Sequence, residues 1–178
     1  MVGEVVDHGD APLLAAQLLA PLDASVRRQE LRGEARGVAV IDDFAHHPTA
    51  VRAAIAGLRA QYPDRRLIAV FEPRTNTSRR AVFQDDYAKS FDGADRLVVS
   101  VAPDTPIYSA TGKVTARFSS QRLAADVEAR GVPAAALAGA DAIVDHRVAL
   151  CAPGDVVLVM SNGDFGNIWQ KLLDALRR

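Results

Sequence analysis

Four short apolar runs, spaced so that a helix can cross back between them, constrain this chain more than any other feature. They are "GVAVI" (37–41), "LIAVF" (67–71), "RLVVSV" (96–101) and "DVVLVMS" (155–161). Runs this continuous suit strands covered on both faces, because a strand with one wet face alternates polar and apolar residues. The intervening segments carry helical periodicity. Pro48 suits a first helical turn, where its missing N–H costs nothing, and Val51, Ile55 and Leu58 then fall on one face. Phe83, Tyr87 and Phe91 recur at fourfold spacing within "SRRAVFQDDYAKSF", which predicts a helix with an aromatic core stripe. "SSQRLAADVEARG" predicts a helix with a Ser cap, Leu123 and Val127 inward, and Gly131 at its stop. A weak strand near 132–137, a helix near 140–149 and a closing helix with Phe165, Ile168, Leu172 and Leu176 on one stripe complete the pattern. Strand–helix alternation at this spacing predicts an α/β fold, Rossmann-like, with a mostly parallel sheet and helices on both faces.

The N-terminal part reads differently. "APLLAAQLLAPL" (11–22) is helical in character and stopped by Pro21, a short piece of something larger. "VRRQELRGEARGVAVIDDF" follows as two extended stretches around Gly33 to Gly37, a hairpin. Residues 1–25 are therefore expected to be a remnant or linker from a preceding domain, and 26–178 the domain proper.

Several function classes are excluded by bulk properties. With 49% hydrophobic residues the chain can bury a core. A formal net charge of −1 without a basic stripe argues against nucleic-acid binding. No apolar run reaches the ~20 residues that span a bilayer, and "MVGEVVDHGD" lacks the parts of a signal peptide. The expected compartment is the cytoplasm. Cys151 is the only cysteine, so no internal disulfide can form, and it reads as a small core hydrophobe.

Ligands of such sheets bind beyond the carboxyl ends of the strands. Three polar segments fall there, "DDFAHHP" (42–48), "EPRTNTSRR" (72–80) and "SNGDFGN" (161–167), beside a long irregular loop at 102–117. Asp42, Asp43, His46 and His47 are permissible metal ligands, but neither pair has the i, i+4 spacing of a helical metal motif. Acids are favourable at a helix start in any case, and a metal site is not expected. No G-x-x-x-x-G-K-[ST] or G-x-G-x-x-G occurs, and Gly112–Lys113 lacks its upstream glycine. "SNGDFGN" can present backbone N–H groups to an anion, although tight turns use glycine anyway. Read from the residues alone, this is a ligand-binding α/β domain without a phosphate loop of its own.

"RRQELRG", "DDFAHHPTA", "FEPRTNTSRR", "FQDDYAKSF" and "VLVMSNGDFG" occur in an order and spacing that resembles the C-terminal domain of the Mur ligases. "EPRTNT" together with "MSNG-FG" is most similar to the murein tripeptide ligases of that family. The resemblance covers roughly residues 26 to 178. It implies a domain of a three-domain ATP-dependent ligase. In such enzymes ATP converts the carboxylate of UDP-N-acetylmuramate to an acyl phosphate, and an amine attacks it. For the tripeptide ligases that amine belongs to L-alanyl-γ-D-glutamyl-meso-diaminopimelate, in peptidoglycan recycling. By the same resemblance Arg28 and Asp43 face ATP, with Asp43 on the ribose hydroxyls and His46 near the nucleotide. Arg74 becomes a contact for a peptide carboxylate, which a guanidinium fork suits. Asn76, Thr77, Ser161, Asn162 and Gly163 are then neutral hydrogen-bonding partners of the peptide. No catalytic residue is expected in this chain, and Mg²⁺ belongs mainly to the absent central domain.

Other readings stand beside these. His47 is expected to cap or pack at the helix start, and Arg79 and Arg80 to form a solvated helix face. Asp164 and Asn167 stand where glycines are common in the family, and Asp164 is expected to repel an acidic peptide. The alternatives are the L-alanine-adding ligase of the same family, which usually has a "PHR"-like loop where this chain has "EPRTNT", and a non-catalytic nucleotide- or peptide-binding module.

Overall fold

The computed structural model describes residues 28–75, 78–102, 108–109, 112–113, 116–148 and 150–178. The expected N-terminal remnant and its helix over 11–22 lie outside these residues. The strands are β1 (Glu30–Ala35), β2 (Val38–Asp43), β3 (Leu67–Phe71), β4 (Arg96–Ser100), β5 (Tyr108–Ser109), β6 (Gly112–Lys113), β7 (Ala134–Leu137) and β8 (Val156–Met160). The helices are α1 (Pro48–Gln61), α2 (Gln84–Ser90), α3 (Ser120–Ala129), α4 (Gly139–Val148) and α5 (Ile168–Arg177).

Six strands form one sheet in the order β1-β2-β8-β3-β4-β7. Only β1 is antiparallel to its neighbour, and every other pairing is parallel. The predicted fold class is the observed one. The apolar runs are continuous because period-two alternation sends neighbouring residues to different helical layers. Ile41, Leu67, Ala69, Phe71, Leu97, Val99 and Leu158 pack with residues of α1, α2 and α3. Val40, Ile68, Val70, Val98, Val157 and Val159 pack with α4 and α5. Each such side chain larger than alanine, fully buried, contributes roughly 1.5–3 kcal/mol.

The hairpin forms as expected, with its turn at Arg36 and Gly37. Both residues have positive φ, 49° and 74°, the turn geometry that matches the twist of paired strands. Ser119 Oγ accepts from the Arg122 N–H to cap α3, and Gly131 follows that helix with φ of 91°. Val51, Ile55 and Leu58 are buried, as are Phe165, Ile168, Leu172 and Leu176.

Three expectations are corrected. The helix read over 78–91 begins late: a turn and a bridge precede a 3-10 turn at Ala81–Phe83, and α2 starts at Gln84. Thr75 and Ser78 cause the delay, as described below. The loop at 102–117 contains the small antiparallel hairpin β5–β6. Cys151 is half-buried against the edge of the α4–α5 layer rather than inside it.

Candidate functional site

At the carboxyl end of the sheet, β8 lies between β2 and β3. The chain leaves β2 and β3 toward α1 and α2 on one face, and leaves β8 toward α5 on the other. Connections that part to opposite faces open a crevice between strand ends, the place where open α/β sheets bind ligands. All three polar segments singled out in the sequence meet here. The Ser161 N–H donates to Asp43 O at 3.1 Å, and the Glu72 N–H donates to Met160 O at 3.0 Å.

"DDFAHHP" resolves into separate jobs. Adjacent strand residues face opposite sides, so the two acids part company. Asp42 is buried and accepts from Arg32 Nε and Nη2 at 3.2 and 2.8 Å. Arg32 in turn lies over the Trp169 ring, 4.8 Å from its centroid. Asp43 ends β2 with 6% of its surface exposed. Its Oδ1 accepts from the Ala45 N–H at 2.7 Å and its Oδ2 from the Gln29 N–H at 3.0 Å. Burial raises its pKa above the usual 3.8, against the lowering effect of those two N–H groups and of the Arg28 charge. Gln29 sits at φ 46°, a conformation that costs a side-chain-bearing residue roughly 1–2 kcal/mol. The bond to Asp43 helps to offset that. Arg28 is exposed beside this corner.

His46 Nδ1 lies 2.9 Å from Phe44 O, and its ring meets Phe44 edge-on. His47 is the N-cap residue of α1, but its side chain makes no cap bond. It packs edge-on against Phe83 instead, at 5.0 Å. Tyr87 Oη donates to His46 O at 2.6 Å, and Ser90 Oγ donates to Pro48 O at 3.0 Å. Burial raises the Tyr87 pKa, so the phenol remains a donor across the physiological range. Helix α2 therefore fastens this loop from below.

The second flank follows β3 and β8. Glu72 Oε2 accepts from Ser161 Oγ at 2.5 Å, and Ser161 Oγ accepts from the Gly163 N–H at 3.0 Å. Arg74 reaches across to Asp164, Nη1 to Oδ1 2.8 Å. The bond to Asp164 raises the Arg74 pKa and lowers that of Asp164. Gly163 makes room for this reach: a Cβ there would lie 2.1 Å from Arg74 Nη1. Asn162 Oδ1 is buried and has no hydrogen-bond partner among the described residues. Upstream, Thr75 and Ser78 bond reciprocally, each N–H donating to the other's hydroxyl at 3.0 Å. That turn replaces the first part of the expected helix. Arg79, which follows it, is buried, 6% exposed, which corrects the solvated face expected for it, whereas Arg80 is exposed.

Arg28, Asp43 and His46 thus stand on one flank of the crevice, and Arg74, Ser161, Asn162 and Gly163 on the other. Asn76 and Thr77 lie outside the described residues. Three contributors escaped the sequence reading: Gln29, Glu72 and Tyr87. Glu72 was within reach, because Phe71 pairs with Met160, so the next residues on both strands are neighbours. Among the described residues no three His, Cys, Asp or Glu side chains converge on a possible metal position. No described helix is long and apolar enough to cross a membrane.

Comparison with known proteins points one way. The family described as "Mur ligase, glutamate ligase domain" matches residues 27–163. A UDP-N-acetylmuramate–L-alanyl-γ-D-glutamyl-meso-2,6-diaminoheptandioate ligase of Escherichia coli strain K12 is 42% identical over 171 residues, 96% of this chain and 34% of the relative. A UDP-N-acetylmuramate–L-alanine ligase of Caldanaerobacter subterraneus is 32% identical over 92% of this chain and 34% of the relative. The chain thus spans about a third of the length of these relatives. Among solved structures, a domain of a UDP-N-acetylmuramate:L-alanyl-γ-D-glutamyl-meso-diaminopimelate ligase from Haemophilus ducreyi 35000HP superposes with a TM-score of 0.62 at 34% identity. It is matched over 84% of this chain and 99% of that one.

Proposed function

The chain belongs to the Mur ligase family, as its C-terminal domain, and we propose that it forms the nucleotide- and peptide-contacting part of an ATP-dependent murein tripeptide ligase. The observation that carries this reading is the convergence of three motif-bearing strand ends on one crevice, Asp43 on one flank and Arg74 on the other. The identity of 42% to a tripeptide ligase supports the peptide substrate. Its partners are UDP-N-acetylmuramate, the tripeptide, and N-terminal and central domains outside this chain.

The nucleotide fits the first flank. Each Asp43 oxygen accepts one backbone N–H, which leaves further acceptor capacity for ribose hydroxyls. Arg28 adds positive charge at the same corner. Bound ATP would supply the phosphoryl group that activates the UDP-N-acetylmuramate carboxylate. Among the described residues no three or more His, Cys, Asp or Glu side chains gather into a cage for Mg²⁺. Phosphoryl transfer needs positioned phosphate-binding groups and the metal, so both fall to the central domain, and this chain alone should not catalyse. On the second flank Arg74 takes a peptide carboxylate, while Ser161, Asn162 and Gly163 hold the backbone and Asn76 and Thr77 extend the contact. In this role the domain works in the cytoplasm.

Fusing the missing domains in front of this chain provides the test, because tethering supplies the effective concentration that assembly needs. The fusion should release ADP and yield the UDP-N-acetylmuramate–tripeptide product by mass, while the chain alone should do neither. The 32% identity to an L-alanine ligase favours one rival. A folded fusion active only with free L-alanine would establish that rival, and tripeptide-dependent turnover by the chain alone would refute the domain reading.

A further inference from the structure

A groove of about 630 Å³ runs between α1 and the turn that joins α2 to β4. Gly93 and Arg130, which line it, precede β4 and β7. That end of the groove therefore lies at the amino ends of parallel strands, opposite the crevice. Its α1 wall is a stripe of Arg52, Ile55, Ala56, Arg59 and Ala60. Residues three and four apart share a helix face. Ala56 and Ala60 are exposed, so small apolar surface stays open between the longer cationic side chains.

The cations of this groove fall into two classes. Arg130 grips Asp92 with both arms of its fork, Nε to Oδ1 at 2.7 Å and Nη2 to Oδ2 at 2.5 Å. Arg59 donates to Gly93 O, Arg65 O and Asp95. Both are spent on joining elements of the fold. Arg52 on α1 and Lys89 on α2 make no ion pair among the described residues. Arg52 acts on Asp92 through space, adding to the Arg130 fork that holds this carboxyl below its ordinary range. Four cations thus meet two carboxylates, Asp92 and Asp95, which leaves an excess of two positive charges. The two uncommitted ones come from different helices and line one apolar hollow.

We propose that this groove is a ligand site distinct from the crevice, for a small phosphomonoester with an apolar body. The charge excess matches a phosphate dianion, the form a phosphomonoester takes above its second pKa of about 6. Guanidinium and ammonium both suit phosphate oxygens, one as a fork and the other as a point charge. The Ile55–Ala56–Ala60 surface takes the body, and the volume is that of sites for small molecules. Ten residues line the groove, whereas each side of a standard protein interface supplies roughly 20–30.

The test is amide NMR titration of the 178-residue chain with hexyl phosphate, at roughly pH 7.5 where it is mostly dianionic. Shifts should gather at Ile55, Ala56, Lys89 and Gly93 and spare Ser161 to Gly163. Affinity should climb about two- to fourfold per methylene from ethyl through butyl to hexyl phosphate, with inorganic phosphate weakest. Hexyl sulfate, the same chain on a monoanion, should bind about fivefold more weakly. Arg52→Gln with Lys89→Gln should weaken hexyl phosphate by about tenfold and erase its advantage over the sulfate. Ala56→Phe fills the hollow and keeps every charge, and should weaken hexyl phosphate by at least about tenfold at an unchanged melting temperature. No saturable binding, shifts confined to the crevice, equal affinity for phosphate and sulfate, or full affinity in either variant overturns the proposal. So does self-association in sedimentation that Ala56→Phe abolishes, which gives the groove to a second copy. An acidic Leu–Glu helical peptide that binds there more tightly than hexyl phosphate overturns it in favour of a protein partner.

Discussion

The two flanks of the crevice hold their charges in opposite ways. Asp43 is buried at a strand end and fixed by two backbone N–H groups, and burial makes it a reluctant anion. Arg74 and Asp164 lie beyond the strand ends, side chains 49% and 81% exposed, each holding the other ionised. The first arrangement is a fixed wall whose geometry is part of the fold. The second is an adjustable contact whose partner can be exchanged. Under the proposed function, the wall would serve a nucleotide that does not vary and the adjustable contact a chosen peptide.

If the wall is part of the fold, breaking it should be felt in stability. Asp43→Ala leaves the Gln29 and Ala45 N–H groups unpaired and should lower the unfolding free energy by about 2–4 kcal/mol. Urea denaturation measures this, and a loss no larger than for a surface substitution would erase the distinction between the flanks.

On the adjustable side, effects should appear in binding and not in folding. Arg74→Lys cannot reproduce the planar fork and should cost roughly 1.5–3 kcal/mol of peptide affinity in the fused enzyme. The same variant should keep stability within about 0.5 kcal/mol, and wild-type peptide affinity would return Arg74 to the solvated surface. Gly163→Ala is subtler, because the added Cβ displaces a flexible side chain. It should swing Arg74 away and weaken peptide binding by about tenfold, the worth of roughly one charged contact. Isothermal titration of the fusion with tripeptide, beside a melting curve, separates these outcomes.

The smallest effect is in titration. Carboxyl ¹³C NMR should place the Asp43 pKa above 3.8 and the Asp164 pKa below it. The signs differ for stability. As pH falls through the raised pKa of Asp43, the folded state takes up its proton before the unfolded chain does, which relieves a destabilising burial. Asp164 instead stabilises above its unfolded value, and loses that contribution as pH falls through its lowered folded pKa. Matching pKa values for the two acids would contradict the contrast.

How much of this could be read from residues follows from the same physics. The strands were legible because both faces are covered, so burial wrote itself as unbroken apolar runs. Helix α3 announced its own cap and stop through Ser119 and Gly131. The start of α2 was not legible, since the aromatic spacing from Phe83 onward is helical while Thr75 and Ser78 bond each other and hold the chain in a turn. Asp43 could be placed at the ligand face from its position after "GVAVI", but not its bond to Gln29, which depends on how the chain enters β1. The partnership of Arg74 and Asp164 spans 90 residues. Two opposite charges in separate loops give no sign of meeting until the order of β3 and β8 is known.

The proposed function divides the labour between the two flanks. Its most direct test is a crossed kinetic measurement in the fusion carrying N-terminal and central ligase domains. Asp43→Ala, assayed below its melting temperature, should raise the apparent KM for ATP and leave that for the tripeptide near wild type. Arg74→Lys should do the reverse. Both substitutions raising the same KM, or Asp43→Ala leaving the KM for ATP unchanged, would contradict the assignment of nucleotide and peptide to opposite sides of the β8 strand end.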